Sequence, residues 1–401
     1  MMLRTGFRLL GQVLRRLATR VVLIASLALV ALAASVIVGP VVPDWLVDKL
    51  GVDSLDTILN ILASSMLTVT TFSLSILTGA IQFASSSVTP RSRLLLRDDT
   101  VTNMVLSNFV GAFVFALLGI ILRATPFMGE AESALLFLLT VVVIGVVIVS
   151  ILRWIDHLAR LGSLDQTVAD FQDIANRVMT DFVDRPALGG HAVPMDKIKA
   201  QAHHPALSAH SAGYLEQIFE DILQTEADEA GVDLYIPVRP GDYIVSGMAL
   251  AYMVGDTPDD TPDEAQADAL RGGFRIAPMR LFEQDPRLTV IAMTEVASRA
   301  LSPGINDPQT AVDVVHRLSS VLLNCAPDPD ADDEEVVNTR LHMAPVAPDA
   351  FFRVSFEVIA RDGADKREVL EAIGQALDRL EHLGRGKVSQ AARDCRDRID
   401  L

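Results

Sequence analysis

Seven side chains able to solvate an ion or a small polar solute recur through a stretch that carries no charge, ILNILASSMLTVTTFSLSILTGAIQFA at 58–84. They are Asn60, Ser64, Thr68, Thr71, Ser75, Thr78 and Gln82, three or four residues apart at every step. On a helix that spacing gathers them on one face, with Leu, Ile, Met and Phe over much of the remainder. Hydrocarbon offers hydroxyls and amides no partners, so the face requires a neighbouring helix, a copy of itself, or water. A neutral hydroxyl wall can dress an ion without trapping it, which is the chemistry of passive conduction. The structural alternative is that Ser and Thr let helices pack closely.

A second place with chemical capacity is the loop LSPGIN at 301–306. Asp285 followed by Pro286, and Asp307 followed by Pro308, each read as an N-cap with proline at the first helical position. Helices at about 286–300 and 308–323 follow from them. The loop sets Ser302, Asn306 and Asp307 beside free amide groups at a helix start, where an anion or small polar ligand can sit. Asp307 would oppose an anion, and capping also accounts for these residues. Elsewhere the chain has no phosphate loop, nucleophile elbow, HExxH or dinucleotide fingerprint. His191, His203, His204 and His210 cluster in sequence without the spacing and carboxylates of a metal site. His316 beside Asp313 has no partner nucleophile. Cys325 and Cys395 lie 70 residues apart with no CxxC, so they read as ordinary thiols. The expectation is no catalytic residue, no metal, no cofactor and no enzyme.

The elements that must hold these residues divide sharply by charge. Residues 1–160 hold 12 Lys and Arg against 9 Asp and Glu, a net of +3. Residues 161–401 hold 22 against 42, a net of −20, and together these give the −17 of the whole chain. So acidic a surface would repel phosphates and argues against nucleic acid. Apolar runs predict four membrane helices at about 21–38, 58–84, 101–122 and 134–152. The N-terminus and the connector after the second span carry eight arginines. The other two connections carry Lys49 and Arg123 against six acids. Both chain ends are therefore expected in the cytoplasm. Mid-membrane positions lack Asp, Glu, His and Lys, which disfavours a proton relay or coupled pump. Arg123, at the outer end of the third span, reads as snorkelling or as part of an outer charge ring.

Beyond the spans, Ser163 can cap an amphipathic helix whose stripe is Leu164, Val168, Phe171, Ile174, Val178 and Phe182. A linker rich in Gly, Pro and His follows. A helix is expected to end at Ala230. Two short strands then flank RPGD at 239–242, and a third begins after Gly247. This hairpin is similar to the sandwich modules of biotinyl and lipoyl carrier domains, but residues 232–254 contain no lysine to modify. The stretch DTPDDTPDEAQADA at 256–269 reads as an acidic loop. NTRLHMAPV and FFRVSFEVIA read as strands, and helices at about 365–383 and 389–398 close the chain.

The run ALSPGINDPQTA, with EQDPR and EVASRA before it, resembles an uncharacterised family of predicted bacterial membrane proteins. PGDYIVSG and QFASSSVTPR resemble it too. The resemblance implies an integral inner-membrane protein with a cytoplasmic C-terminal domain, and it brings neither a reaction nor catalytic residues.

The expected architecture is an α-helical membrane domain of four transmembrane helices at 1–160. An amphipathic helix and linker follow at 161–212, then a cytoplasmic α+β domain with a small β-sandwich-like module at 213–401. The expected function is a homo-oligomeric, channel-like protein of the bacterial inner membrane. It would pass an ion or small polar solute along the Ser/Thr face of the second span, and its cytoplasmic domain would assemble or gate it. The alternative is a non-conducting membrane-anchored sensor or scaffold that binds a ligand or partner near 302–307. The lipid bilayer and copies of the chain are the expected partners, with no nucleic acid.

Overall fold

The computed structural model of the chain describes residues 54–87, 89, 91, 100–125, 129–160, 163–185, 187–255, 263–325 and 336–400. By its contacts the chain divides into one unit of Phe7–Gln166 and one formed mainly by Thr167–Leu401.

In the first unit, apolar runs without proline form three long helices: α1 (Leu55–Ser87), α2 (Thr100–Arg123) and α3 (Glu130–Arg160). Each holds a stretch long and apolar enough to cross a membrane, at Leu55–Gln82, Val101–Arg123 and Glu132–Leu158. The expected first span, 21–38, lies outside the described residues. With 33 residues, α1 is about 50 Å long and exceeds a hydrocarbon core of ~30 Å. Helix α2 packs against both α1 and α3. Leu59, Met66, Phe109, Phe115 and Leu136 are buried between them. A Cβ at Gly119 would stand 3.2 Å from Leu59, so a glycine lets α1 and α2 close up there. Polar ties reinforce the packing. Asn108 Nδ2 donates to Ser150 Oγ at 2.9 Å, and Thr102 Oγ1 lies 3.3 Å from His157 Nε2, both linking α2 to α3. Arg123, at the outer end of the third expected span, has partners within the chain. Its guanidinium takes both Asp56 oxygens at 3.0 Å and donates to Ser133 Oγ at 2.8 Å. One side chain thus staples the ends of α1, α2 and the start of α3.

Next in the chain is α4 (Leu164–Asp184), within which the second unit starts and whose Gln166 amide is capped by Ser163 Oγ at 3.1 Å, as expected. Its buried face includes Val168, Phe171 and Val178. The stretch read as a linker carries β1 (His191–Ala192), α5 (Met195–Lys199) and β2 (Ala206–Ser208). After it come β3 (Gly213–Ile218), α6 (Glu220–Ala230), β4 (Val232–Ile236), β5 (Tyr243–Ile244) and β6 (Ala249–Gly255). Helix α7 (Glu264–Arg271), β7 (Phe274–Ala277), α8 (Pro286–Ala300), α9 (Pro308–Leu323) and β8 (Leu341–Met343) follow. Four helices end the chain: α10 (Asp349–Arg353), α11 (Phe356–Asp362), α12 (Arg367–Leu383) and α13 (Lys387–Ile399).

Two sheets share one apolar core. A five-stranded sheet runs β1-β8-β4-β6-β2, with the two pairings of β8 parallel, and a three-stranded antiparallel sheet runs β5-β3-β7. Leu234, Leu250 and Leu341 of the first meet Leu215, Ile244 and Phe274 of the second. The expected hairpin about 239–242 does not form, because β4 and β5 belong to different sheets. The turn itself is as read: Asp242 N donates to Arg239 O at 3.0 Å and Gly241 has φ +90°. Its backbone pairs with β3 instead, Leu215 N to Asp242 O at 2.9 Å and Gly241 N to Leu215 O at 2.8 Å. That exchange carries the chain from one sheet to the other.

Two further expectations are corrected. FFRVSFEVIA, read as a strand, is helical within α10 and α11, because Phe352, Phe356 and Ile359 stand at helical spacing and are all buried. The acidic stretch read as a loop contains α7, started by a capping box between Asp263 and Gln266.

Candidate functional site

All seven residues of the polar stripe lie on α1, and all are exposed. Leu55, Leu59, Leu62, Met66 and Ser73, by contrast, are buried. At ~3.6 residues per turn the two sets fall on roughly opposite sides of the helix. The stripe therefore faces away from α2 and α3. Exposed Ile61 and Phe72 border it on one side, and Leu67 and Leu74 on the other.

The stripe's hydrogen bonding is uniform. Ser64 Oγ donates to Asn60 O, Thr68 Oγ1 to Ser64 O, Thr71 Oγ1 to Leu67 O, Ser75 Oγ to Thr71 O and Thr78 Oγ1 to Leu74 O, all between 2.8 and 3.0 Å. Asn60 Nδ2 donates to Asp56 O at 2.7 Å. Each hydroxyl has one proton and two lone pairs. With the proton turned back to the helix, the stripe presents oxygen lone pairs outward.

The loop at 302–307 is held together by its own groups. Ser302 Oγ donates to Arg299 O at 2.6 Å, and Asp307 accepts from Thr310 N at 3.2 Å and from Thr310 Oγ1 at 2.6 Å. Hydrogen bonds from Thr310 hold the Asp307 carboxyl below its usual range. Asn306 is exposed with φ +51°, and its amide closes the turn on Ser302 O at 2.8 Å. Sequence adjacency brings the three residues together, but capping engages two of their side chains.

EQDPR and PGDYIVSG, far apart in sequence, meet in one ionic network. Asp285, 1% exposed, caps α8 through Leu288 N at 3.1 Å and pairs with Arg280 at 2.6 Å. Arg287 pairs with Asp242 at 2.8 Å, and Asp242 also accepts from Arg239 N at 2.9 Å. Burial pushes the Asp285 carboxyl up, against the pull of Arg280 and Arg287.

Three arrangements were missed by sequence reasoning because strand pairing or a distant helix creates them. His191, His342 and Tyr235 stack across β1, β8 and β4, with ring centroids 4.8 and 4.3 Å apart. His342 Nε2 lies 3.6 Å from Asp233 Oδ2. Among the described residues, exposed His210, Glu264 and Asp268 come close enough to hold a metal ion. Arg271, however, already pairs with both carboxylates, at 3.1 Å to Glu264. Cys325 and Cys395 are buried, and burial pushes both thiols up to about 12, which makes them poor nucleophiles.

Among the described residues, three membrane-capable helices are followed by a unit of helices and sheets, which is the make-up of a helical membrane protein. The chain belongs to the family described as Predicted membrane protein (DUF2254), whose model matches residues 15–379. It is similar to Uncharacterized protein Rv1290c of Mycobacterium tuberculosis (strain H37Rv) and to Uncharacterized protein Mb1321c of Mycobacterium bovis. Each is 28% identical over 324 residues, covering 76% of this chain and 59% of the relative. The chain thus spans about three fifths of the length of these relatives. No solved structure matches it.

Proposed function

We propose that copies of this chain assemble in a bacterial inner membrane, with both chain ends cytoplasmic, into a channel-like oligomer whose α1 polar faces border a wet passage. One observation carries this reading: Asn60, Ser64, Thr68, Thr71, Ser75, Thr78 and Gln82 are all exposed on the side of α1 away from α2 and α3. Packing of α1 against α2 and α3 therefore does not account for the stripe. A symmetric ring of such faces would enclose a passage lined with hydroxyl oxygens. Because their protons are committed to the helix, the lining suits cations over anions, and without carboxylates it binds them weakly. The extramembrane unit assembles or gates the ring.

The test is conductance of the purified protein in planar bilayers. Stepwise, cation-selective currents that fall in Thr71→Leu and Ser75→Leu support the channel. The second reading is a non-conducting membrane-anchored sensor or scaffold, and it also has an observation in its favour. Hydroxyls that donate to their own backbone are tolerated against lipid or a neighbouring helix. A correctly assembled oligomer that stays silent in the bilayer selects it and rules out the channel.

A further inference from the structure

The unit formed by Thr167–Leu401 is acidic overall, although some of its short stretches are not. The stretch HAVPMDKIKAQAHH at 191–204 holds two of the four lysines in residues 161–401, and three histidines, against the single acid Asp196. It leads out of edge strand β1 through α5. There it forms one wall of a cleft of about 340 Å³. Tyr235 of β4 also lines it.

The cleft has two kinds of lining. Lys197, Gln201 and Tyr235 bring an ammonium, an amide and a phenol, while Val193, Pro194 and Ala200 are apolar. No lining residue is acidic. Among the described residues, neither the Lys197 ammonium nor the Tyr235 hydroxyl has a hydrogen-bond or ion-pair partner within the protein. Tyr235 is fixed in place: its ring stacks on His342 at 4.3 Å and 6°, and His342 stacks on His191 at 4.8 Å and 11°. Asp233 is engaged by Arg340 at 3.2 Å and lies near His342, on the same outer face of the sheet. The Tyr235 ring is thus positioned before any ligand arrives, which lowers the cost of binding.

We propose that this cleft binds a compact organic anion with an apolar body. Its charged group would meet Lys197, with Tyr235 and Gln201 as further donors, and its body would lie against Val193, Pro194 and Ala200. The volume falls at the small end of ligand sites, roughly 300–1,000 Å³, and so suits a single ring or a short branched chain. An ammonium without a protein partner, in a cleft without carboxylates, is what admits an anion to a unit whose overall charge would repel it.

The experiment is isothermal titration of the full-length protein in lipid nanodiscs with three probes. Benzoate has both charge and body, benzyl alcohol has the body alone, and inorganic phosphate has the charge alone. Saturable benzoate binding at one site per chain is expected, with benzyl alcohol and phosphate each at least about tenfold weaker. Lys197→Met and Tyr235→Phe should each weaken benzoate by about tenfold or more, and Lys199→Met, on the same helix but outside the lining, should leave it unchanged. Three results overturn the proposal: no saturable benzoate binding up to about 10 mM, binding undiminished in Lys197→Met, or phosphate binding as tightly as benzoate.

Discussion

Gly241→Ala is expected to damage the second unit far more than Gly247→Ala, although the two glycines have nearly the same backbone. Gly241 has φ +90° and Gly247 φ +85°, so alanine at either site is strained by about 1–2 kcal/mol. Their surroundings differ. A Cβ at Gly247 would meet nothing within 4 Å. At Gly241 it would stand 2.7 Å from Asp285 Cγ and 2.9 Å from Arg280 Nη2, and closer still to Asp285 Oδ2. Asp285 has little room to give way, since it is 1% exposed and both caps α8 and pairs with Arg280. Displacing Asp285 forfeits a cap of about 1 kcal/mol and loosens a buried pair, of which complete rupture costs about 3–5 kcal/mol. With partial relaxation, Gly241→Ala should cost about 3–5 kcal/mol and Gly247→Ala about 1–2 kcal/mol. Trp45 and Trp154 both precede this unit, so tryptophan fluorescence would not report it. Native-state hydrogen exchange at the Leu215, Leu234 and Gly241 amides would. Equal losses in the two variants would refute the view that the PGD turn is clamped by the Asp285 network.

Other outcomes follow from the same geometry. Asp307→Ala should destabilise α9 by about 1 kcal/mol through the lost cap, read as faster exchange in its first turn. Hydrogen bonds from Thr310 hold the Asp307 carboxyl down, so its contribution is present above about pH 4 and disappears on acidification below it; a variant indifferent to this acid window is expected. Burial holds the His342 imidazole below the usual histidine value, with Asp233 pulling up and His191 pushing down. The folded state therefore binds fewer protons, so its stability is full above about pH 6.5 and drains as pH falls. His342→Phe should flatten that part of the pH profile, and an unchanged slope would contradict the assignment. In the first unit, Asp56→Asn and Arg123→Gln should lower thermal stability in detergent, and the double variant should be little worse than either alone. Additive losses would mean that the pair in the structure does not act as one staple.

The sequence was legible at most places where a local rule decides structure, although the Asp263 and Gln266 capping box that starts α7 reads as part of a loop. Asp285 with Pro286 and Asp307 with Pro308 marked α8 and α9 to the residue, because caps and proline act within one turn. Three of the four spans expected from uninterrupted apolar runs coincide with helices long and apolar enough to cross a membrane, and the other lies outside the described residues. What was hidden depends on partners distant in the chain. The strands flanking RPGD look like a hairpin, yet Leu215 captures the turn and sends β4 and β5 to separate sheets. FFRVSFEVIA has a β-like composition, but the burial of Phe352, Phe356 and Ile359 outweighs it. The stripe on α1 could be read from spacing alone. Its position away from α2 and α3 could not, since nothing in the spacing says which face the neighbours take. The His191, His342 and Tyr235 stack required the parallel pairing of β8 with both β1 and β4.

The central claim is that the polar face of α1 meets water, and cysteine accessibility along that helix tests it most directly. Both native thiols are buried, so single cysteines at positions 64, 68, 71, 75 and 78 can be compared with those at 67, 72 and 74 in intact membranes. With a charged, membrane-impermeant thiosulfonate, the first set should react at a rate set by water and the second should stay protected. Equal protection of both sets would leave the stripe dry and contradict the account.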